Sequence, residues 1–536
     1  MRSVTGHATR VSHRTPFVLH WALAGMGALS ITALQEVAAQ DGAENAEAQV
    51  AASNGEALAP GAVSLNDGRF VFGVPVVRTK DGARIHYEHG VINVPSSMIR
   101  DMLPSTSEVE YVPANEKEKE LIAKGMVNFQ GKWLTQDAAA RRMEKLQKEL
   151  TERIEKQQER KSWAKHISVE TKDFKFEHNL PDELFDNLKD LMEVYHKTFL
   201  KYWGKRPEGK VKPTINFYSD YGDFAQISGA SGGIVGWYHP ISKQLHVYWD
   251  RTDPDFTIDV LFHEANHMLV DMIDGPFRYP HWIEEPMAEY YGASKWDPEK
   301  KEMEIGRVQA GRFAEILYEM QEDKWMKLED LVGSSSYRSY TWGWSFVYFL
   351  MKTPKYEKKW KKLWLDLAHK RGVKRSFEGP FKTVETEIVK EMLLKYLGHE
   401  VLETLEREWH DFLKNVKIDE LDGLEQAGRK LRTMGKNTEA KDMLSQAVEK
   451  GAQSPFTYAA YAQLLTKPGE RKRAFEMIDK AIQLDPLEAE FYYIKGKMTE
   501  VTANEKDMLE AVRLYSLAHD IDPLPWKYVE AAEFAK

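Results

Sequence analysis

The 536-residue chain contains no cysteine. This excludes disulfides, thiolate metal ligands, a cysteine nucleophile and a lipidated N-terminal cysteine. It also lacks any large basic block. With a formal net charge of −9, nucleic acid is not an implied partner. What is present is globular in composition: 42% of residues are hydrophobic and 11% aromatic, on a length suited to two to four domains.

The N-terminus reads as a targeting segment. Arg2, Arg10 and Arg14 precede an apolar, Ala/Gly-rich stretch from Phe17 to Leu34, and Val37-Ala38-Ala39 fits a small-residue cleavage site. Residues 1–39 are therefore expected to be a signal peptide. Export without disulfides suits a bacterial periplasm or cell surface, with no stable membrane span after cleavage. Residues 40–65, rich in Ala, Gly, Glu and Asn, are expected to be a flexible linker. Residues 66–165 are expected to hold a β-hairpin region and a charged helix. The hairpin pairs Phe70–Val74 with Ala83–Tyr87 around Lys80-Asp81-Gly82. Thr135 caps the helix, which runs from Gln136 to about Ser162 and reads as a solvated spacer held by i,i+4 ion pairs.

The most informative run is His263-Glu264-Ala265-Asn266-His267, which has the form H-E-x-x-H. Two histidines four apart on a helix project to the same side and can hold one metal ion, with the glutamate between them turned toward a water. The run lies in a well-marked helix. Asp253 or Asp255 offers an N-cap, Pro254 fits the first turn, and Gly275-Pro276 ends it. Ile258, Leu261, Phe262, Ala265, Leu269 and Met272 form its apolar stripe. Without cysteine, a third ligand must be His, Asp or Glu. The next helix offers Glu285, 18 residues after His267, and Glu289 one turn further on. One of them can ligate while the other accepts an N–H from a ligating histidine.

The pair H-E-A-N-H and W-I-E-E-P-M-A-E-Y-Y, at 263–267 and 282–291, resembles the gluzincin metallopeptidases, in particular the peptidase-MA-like group. The resemblance runs from about Ile167 to Lys352. It implies an α+β, thermolysin-like (zincin) domain with a mixed sheet, placed at 166–416. It also implies one Zn2+ per chain on His263, His267 and Glu285, with Glu264 as general base and Glu289 behind a ligand. The glycine of the family pattern is Pro286 here, which disfavours helical backbone at Glu285 and keeps Glu284 and His281 as substitute ligands. Tyr340, in a Y-x-x-G run, matches a tyrosine that donates to the oxyanion in related aminopeptidases. A hairpin of Gly232–His239 and Gln244–Trp249 leads into the zinc helix. Gly232–Tyr238 is expected to be the sheet edge along the cleft, with an ordinary core hairpin as the other reading.

From 417 to 536 the pattern changes to helical pairs. Pro455, Pro486 and Pro523 are 31 and 37 residues apart, bracketing the 34-residue tetratricopeptide period, and Ala460 and Gly496 fall where such repeats need small residues. The segment resembles degenerate tetratricopeptide repeats, expected to bind a protein partner or cap the catalytic domain without doing chemistry. The whole reads as an exported zinc metallopeptidase acting on a peptide or protein substrate. Two alternatives stay open: an inactive zincin-like and repeat scaffold, and a zinc amidohydrolase acting on a cell-wall substrate.

Overall fold

Short β-rich runs bounded by turn residues make the central sheet. Its strands are β1 (Ile167–Glu170), β2 (Lys175–His178), β3 (Thr214–Tyr218), β4 (Gly236–His239) and β5 (Gln244–Tyr248), in the order β4-β5-β3-β2-β1. The inner pairs β2–β3 and β3–β5 are parallel, and both outer pairs are antiparallel. Parallel neighbours need a crossover. Helix α1 (Asp182–Trp203) makes the one between β2 and β3, burying Leu188, Leu191, Tyr195 and Phe199 and stopping at the left-handed Gly204. The computed structural model describes residues 61–105, 113–129, 131–160, 162–207, 211–230, 232–501 and 504–535. The expected signal peptide and residues 40–60 of the expected linker lie outside them.

Helix α2 (Pro254–Asp274) carries the H-E-x-x-H run. Asp253 accepts from the N–H of Phe256 at 3.3 Å, and Pro254 occupies the first turn. Leu261, Phe262, Ala265 and Leu269 point into the core. Helices α3 (His281–Gly292), α4 (Ala310–Gln321) and α5 (Tyr337–Lys352) pack around it. One apolar core extends from Phe174 to Leu413. Trp282, Trp342, Trp344, Trp360, Trp364 and Trp409 are fully buried, so much of its apolar area comes from large aromatic rings. The fold is mixed α+β.

The N-terminal region departs from expectation in two places. Residues Gly61–Leu65 are not linker but a fully buried strand between Phe70–Val74 and Ile99–Leu103. The hairpin around Lys80-Asp81 is made by Val76–Arg78 with Gly82–Tyr87, not by Phe70–Val74. Pro75 has no N–H to donate, so it interrupts the ladder. The run before it folds back on 61–65, and only the three residues after it continue into the turn. The charged helix spans Gln136–Arg160, with Ala138 N donating to Thr135 Oγ1 at 3.3 Å. It is more than a spacer, because Leu150 is buried and Arg153 pairs with Asp101 of the neighbouring sheet.

The C-terminal region is a run of helical pairs: α6 (Leu421–Thr433) with Asn437–Glu449, Pro455–Leu464 with Arg471–Leu484, and Ala489–Glu500 with Glu505–Ile521, followed by Trp526–Ala535. The leading helices begin at 421, 455 and 489, each 34 residues after the last. Gly428, Ala462 and Gly496 hold the same place in the three. A Cβ on Gly428 would lie 2.5 Å from Leu444, and one on Gly496 2.5 Å from the Tyr515 ring. Ala460 is buried as well, two positions ahead of that register. Both ends of the run are anchored. Ala427 and Leu431 of α6 pack on Ala310 and Ala314 of α4. Leu487, Tyr492, Leu514 and Leu517 pack on Val63, Leu65, Ile85 and Val94 of the N-terminal sheets, and Arg69 pairs with Asp485 at 3.0 Å. Among the described residues no helix is long and apolar enough to cross a membrane.

Substituting Gly496→Leu should wedge the last helical pair apart at a cost of about 1–3 kcal/mol. The expected result is a lower urea midpoint with the slope of the transition unchanged.

Candidate metal centre

One turn of α2 separates His263 from His267, and α3 crosses beside it with Glu285 facing both. Nε2 of His263 and Nε2 of His267 are 3.3 Å apart. Glu285 Oε2 lies 3.3 Å from the first and 3.5 Å from the second. Donors bound to one tetrahedral zinc at about 2.0–2.1 Å are separated by about 3.3 Å, so these three atoms already stand at the spacing of three corners of a zinc tetrahedron. Two imidazoles and a carboxylate are also a chemically suitable donor set.

Proline at 286 does not keep Glu285 away. Helix α3 runs through it, and the ring is accommodated by Gly343 on α5, where an added Cβ would lie 2.4 Å from Pro286 Cγ. The glycine of the Y-x-x-G run therefore has a steric job. It lets α5 close on the turn of α3 that carries Glu285. The substitute ligands are placed elsewhere. Nε2 of His281 is 3.2 Å from the Tyr340 hydroxyl, and Glu284 Oε1 faces the other side of His267, 3.9 Å from Nδ1.

Carboxylates flank the outer nitrogens of both histidines. Glu289 Oε1 is 3.6 Å from His263 Nδ1. Arg312 of α4 grips Glu289 through two contacts, Nη2 to Oε1 at 2.8 Å and Nε to Oε2 at 3.2 Å. The Arg312 guanidinium also donates to the Tyr337 hydroxyl at 2.8 Å, which accepts from Lys430 of α6 at 3.1 Å. Sequence reasoning reached Glu289 but neither Arg312 nor this extension. Arg312 is 23 residues beyond Glu289 on another helix and carries no local signature.

Glu264 points from α2 toward the sheet edge, where its Oε2 accepts from the N–H of Tyr238 at 2.8 Å. The sheet approaches closely because position 236 is glycine: a Cβ there would lie 2.6 Å from Val260 Cγ1 and 3.6 Å from Glu264 Cγ. Burial raises the Glu264 carboxyl above its ordinary value, against the pull of His263 and His267. Burial also opposes ionisation of Glu285, but the two histidines outweigh it and hold this carboxyl well below the usual range. Burial, reinforced by Glu285, Glu289 and Glu264, pushes the Tyr340 phenol up, so it stays a proton donor.

These groups share one cleft of about 980 Å³. Strand β4 is an edge of the sheet, and residues 233–238 form one side of the cleft. His263, Glu264, His267, Glu285 and Tyr340 line its floor. The opposite wall includes Gln426, Arg429, Lys430 and Thr433 of α6, the first helix of the C-terminal run. That run is thus part of the cleft itself.

Substituting Gly343→Ala touches no ligand but drives α5 off Pro286. Zinc affinity, measured by competition with a chromophoric chelator, is expected to fall on the order of tenfold, as for other changes just behind a ligand shell. No protein-family model matches the chain, and no curated protein matches it.

Proposed function

We propose that the protein is an exported zinc-dependent metallopeptidase of the gluzincin type, with His263, His267 and Glu285 as metal ligands and Glu264 as general base. The observation that carries this reading is the spacing of the three donor atoms, 3.3, 3.3 and 3.5 Å, beside a carboxylate in an open cleft. We read residues 166–416 as a thermolysin-like catalytic domain. The support is the succession of edge strand, H-E-x-x-H helix and E-x-x-x-E helix. We read 417–536 as tetratricopeptide-like repeats, on their 34-residue spacing and recurring small residues. Export rests on the N-terminal sequence.

A zinc ion on the three ligands supplies the Lewis acidity that polarises a scissile carbonyl. Glu264 takes the proton of the attacking water and returns it to the leaving amine. Glu289, held by Arg312, keeps the His263 ring oriented through Nδ1. The Tyr340 hydroxyl, steadied by His281, donates to the oxygen on which charge develops. Strand β4 offers its edge to an extended peptide, which lays the scissile bond along α2.

Two measurements on purified protein test the reading. Metal analysis should find about one zinc per chain in the wild type and in Glu264→Gln, and loss of zinc in Glu285→Ala. A peptide-library digest should show cleavage by the wild type and a loss of several orders of magnitude in Glu264→Gln. Retained turnover in that variant would remove Glu264 from the role of base. For Tyr340→Phe, kcat should fall about a hundredfold with KM little changed.

A further inference from the structure

The carboxylates of the cleft are nearly all accounted for. Asp253 pairs with Arg429 at 3.2 Å and Glu289 with Arg312 at 2.8 Å. Glu284 and Glu285 face the histidines, and Glu264 faces the N–H of Tyr238. Asp259 is the exception. It lines the cleft one helical turn before His263, on the same face of α2. Its one hydrogen bond is from Gln426 Nε2 of α6, at 3.2 Å. Among the described residues it has no Lys, Arg or His within the 4.0 Å of an ion pair. Arg307, the cation that acts on it from a distance, is itself paired with Asp422 at 2.7 Å. Burial pushes the Asp259 carboxyl well up, and Asp255, Glu289 and Asp253 add to the effect. The protein's own cations leave this carboxylate uncompensated, although those around it are matched.

The surface leading to Asp259 is apolar. Phe256, three residues earlier on α2, lines the same cleft with its side chain 48% exposed, and Ile234 beside β4 is 38% exposed there. A patch of apolar surface ending in a lone carboxylate is complementary to a side chain with an apolar stem and a cationic head. Lysine and arginine have that form. Gln426 completes the pocket from the other wall and can accept from the same head group through its amide oxygen.

We propose that Asp259, Phe256 and Gln426 form a subsite that selects a basic side chain, lysine or arginine, in the substrate. This rests on the metallopeptidase reading and adds its specificity. The first helix of the C-terminal run is then a determinant of specificity as well as a wall.

The test uses the full-length zinc protein and a set of peptides identical except at one scanned position, which carries lysine, norleucine or acetyl-lysine. Norleucine keeps the stem and drops the charge, and acetyl-lysine neutralises it without altering the protein. At the position that occupies the subsite, the wild type should prefer lysine over both by at least about tenfold in kcat/KM, as for one charge-assisted hydrogen bond. In Asp259→Asn, which keeps the shape and a hydrogen-bonding group for Gln426, that ratio should fall toward one. A wild type indifferent to lysine at every position, or a ratio unchanged in Asp259→Asn, overturns the proposal. Binding of fluorescent versions of the same peptides to Glu264→Gln is read in parallel. If lysine-selective binding depends on Asp259 but the wild type cleaves nothing, the subsite stands and the peptidase reading falls. Cleavage without selectivity has the opposite meaning.

Discussion

The close crossing of α2 and α3 governs the rest of this structure. Gly292 on α3 meets the backbone oxygen of Asp259 on α2, where a Cβ would stand at 3.2 Å, and the same Cβ would be 3.7 Å from that of His263. A larger residue would hold the helices apart and lift Glu285 away from the two imidazoles. Two further glycines serve the same closure from outside. Gly343 admits Pro286 from the α5 side, and Gly236 admits Val260 from the sheet. Three close approaches therefore bring a strand edge, two histidines and a glutamate into one cleft. The large buried tryptophans behind them give the assembly a stiff support.

Gathering charge in a crevice is costly unless the charges compensate one another. Around His263 the compensation is layered: Glu289 faces the outer nitrogen, Arg312 neutralises Glu289, and Tyr337 and Lys430 continue the chain into α6. This network ties the C-terminal run to the metal centre through hydrogen bonds, while the α4–α6 contact ties it through apolar packing. At the far end the run is closed by the N-terminal sheets. A helical run capped at both ends by the rest of the chain has its terminal apolar faces covered, which open repeat arrays must achieve with polar capping helices.

Much of the site was legible because it is written at short range. The H-E-x-x-H spacing, the Asp253-Pro254 start, the Gly275 stop and the Glu285/Glu289 pair each depend on residues within a turn or two of one another. So does the 34-residue period at the C-terminus, although the small position recurring through it is 428, 462 and 496 rather than 460. The reading failed where pairing depends on competition between segments. Phe70–Val74 and Ala83–Tyr87 look like a hairpin in isolation. Residues 61–65, read as linker for their small side chains, supply the partner instead once Pro75 breaks the run.

What the sequence determined by itself is which side chains share a helix face, since helical periodicity is a local property of the backbone. That was enough to nominate His263, Glu264, His267, Glu285 and Glu289. Only the tertiary structure decided that Pro286 leaves Glu285 within reach, that Glu284 and His281 look elsewhere, that Arg312 holds Glu289, and that α6 walls the cleft. It also decided that Asp259 stands without a cation. Each of these is a distance between segments far apart in the chain, set by how closely two surfaces can pack, and no local spacing encodes it.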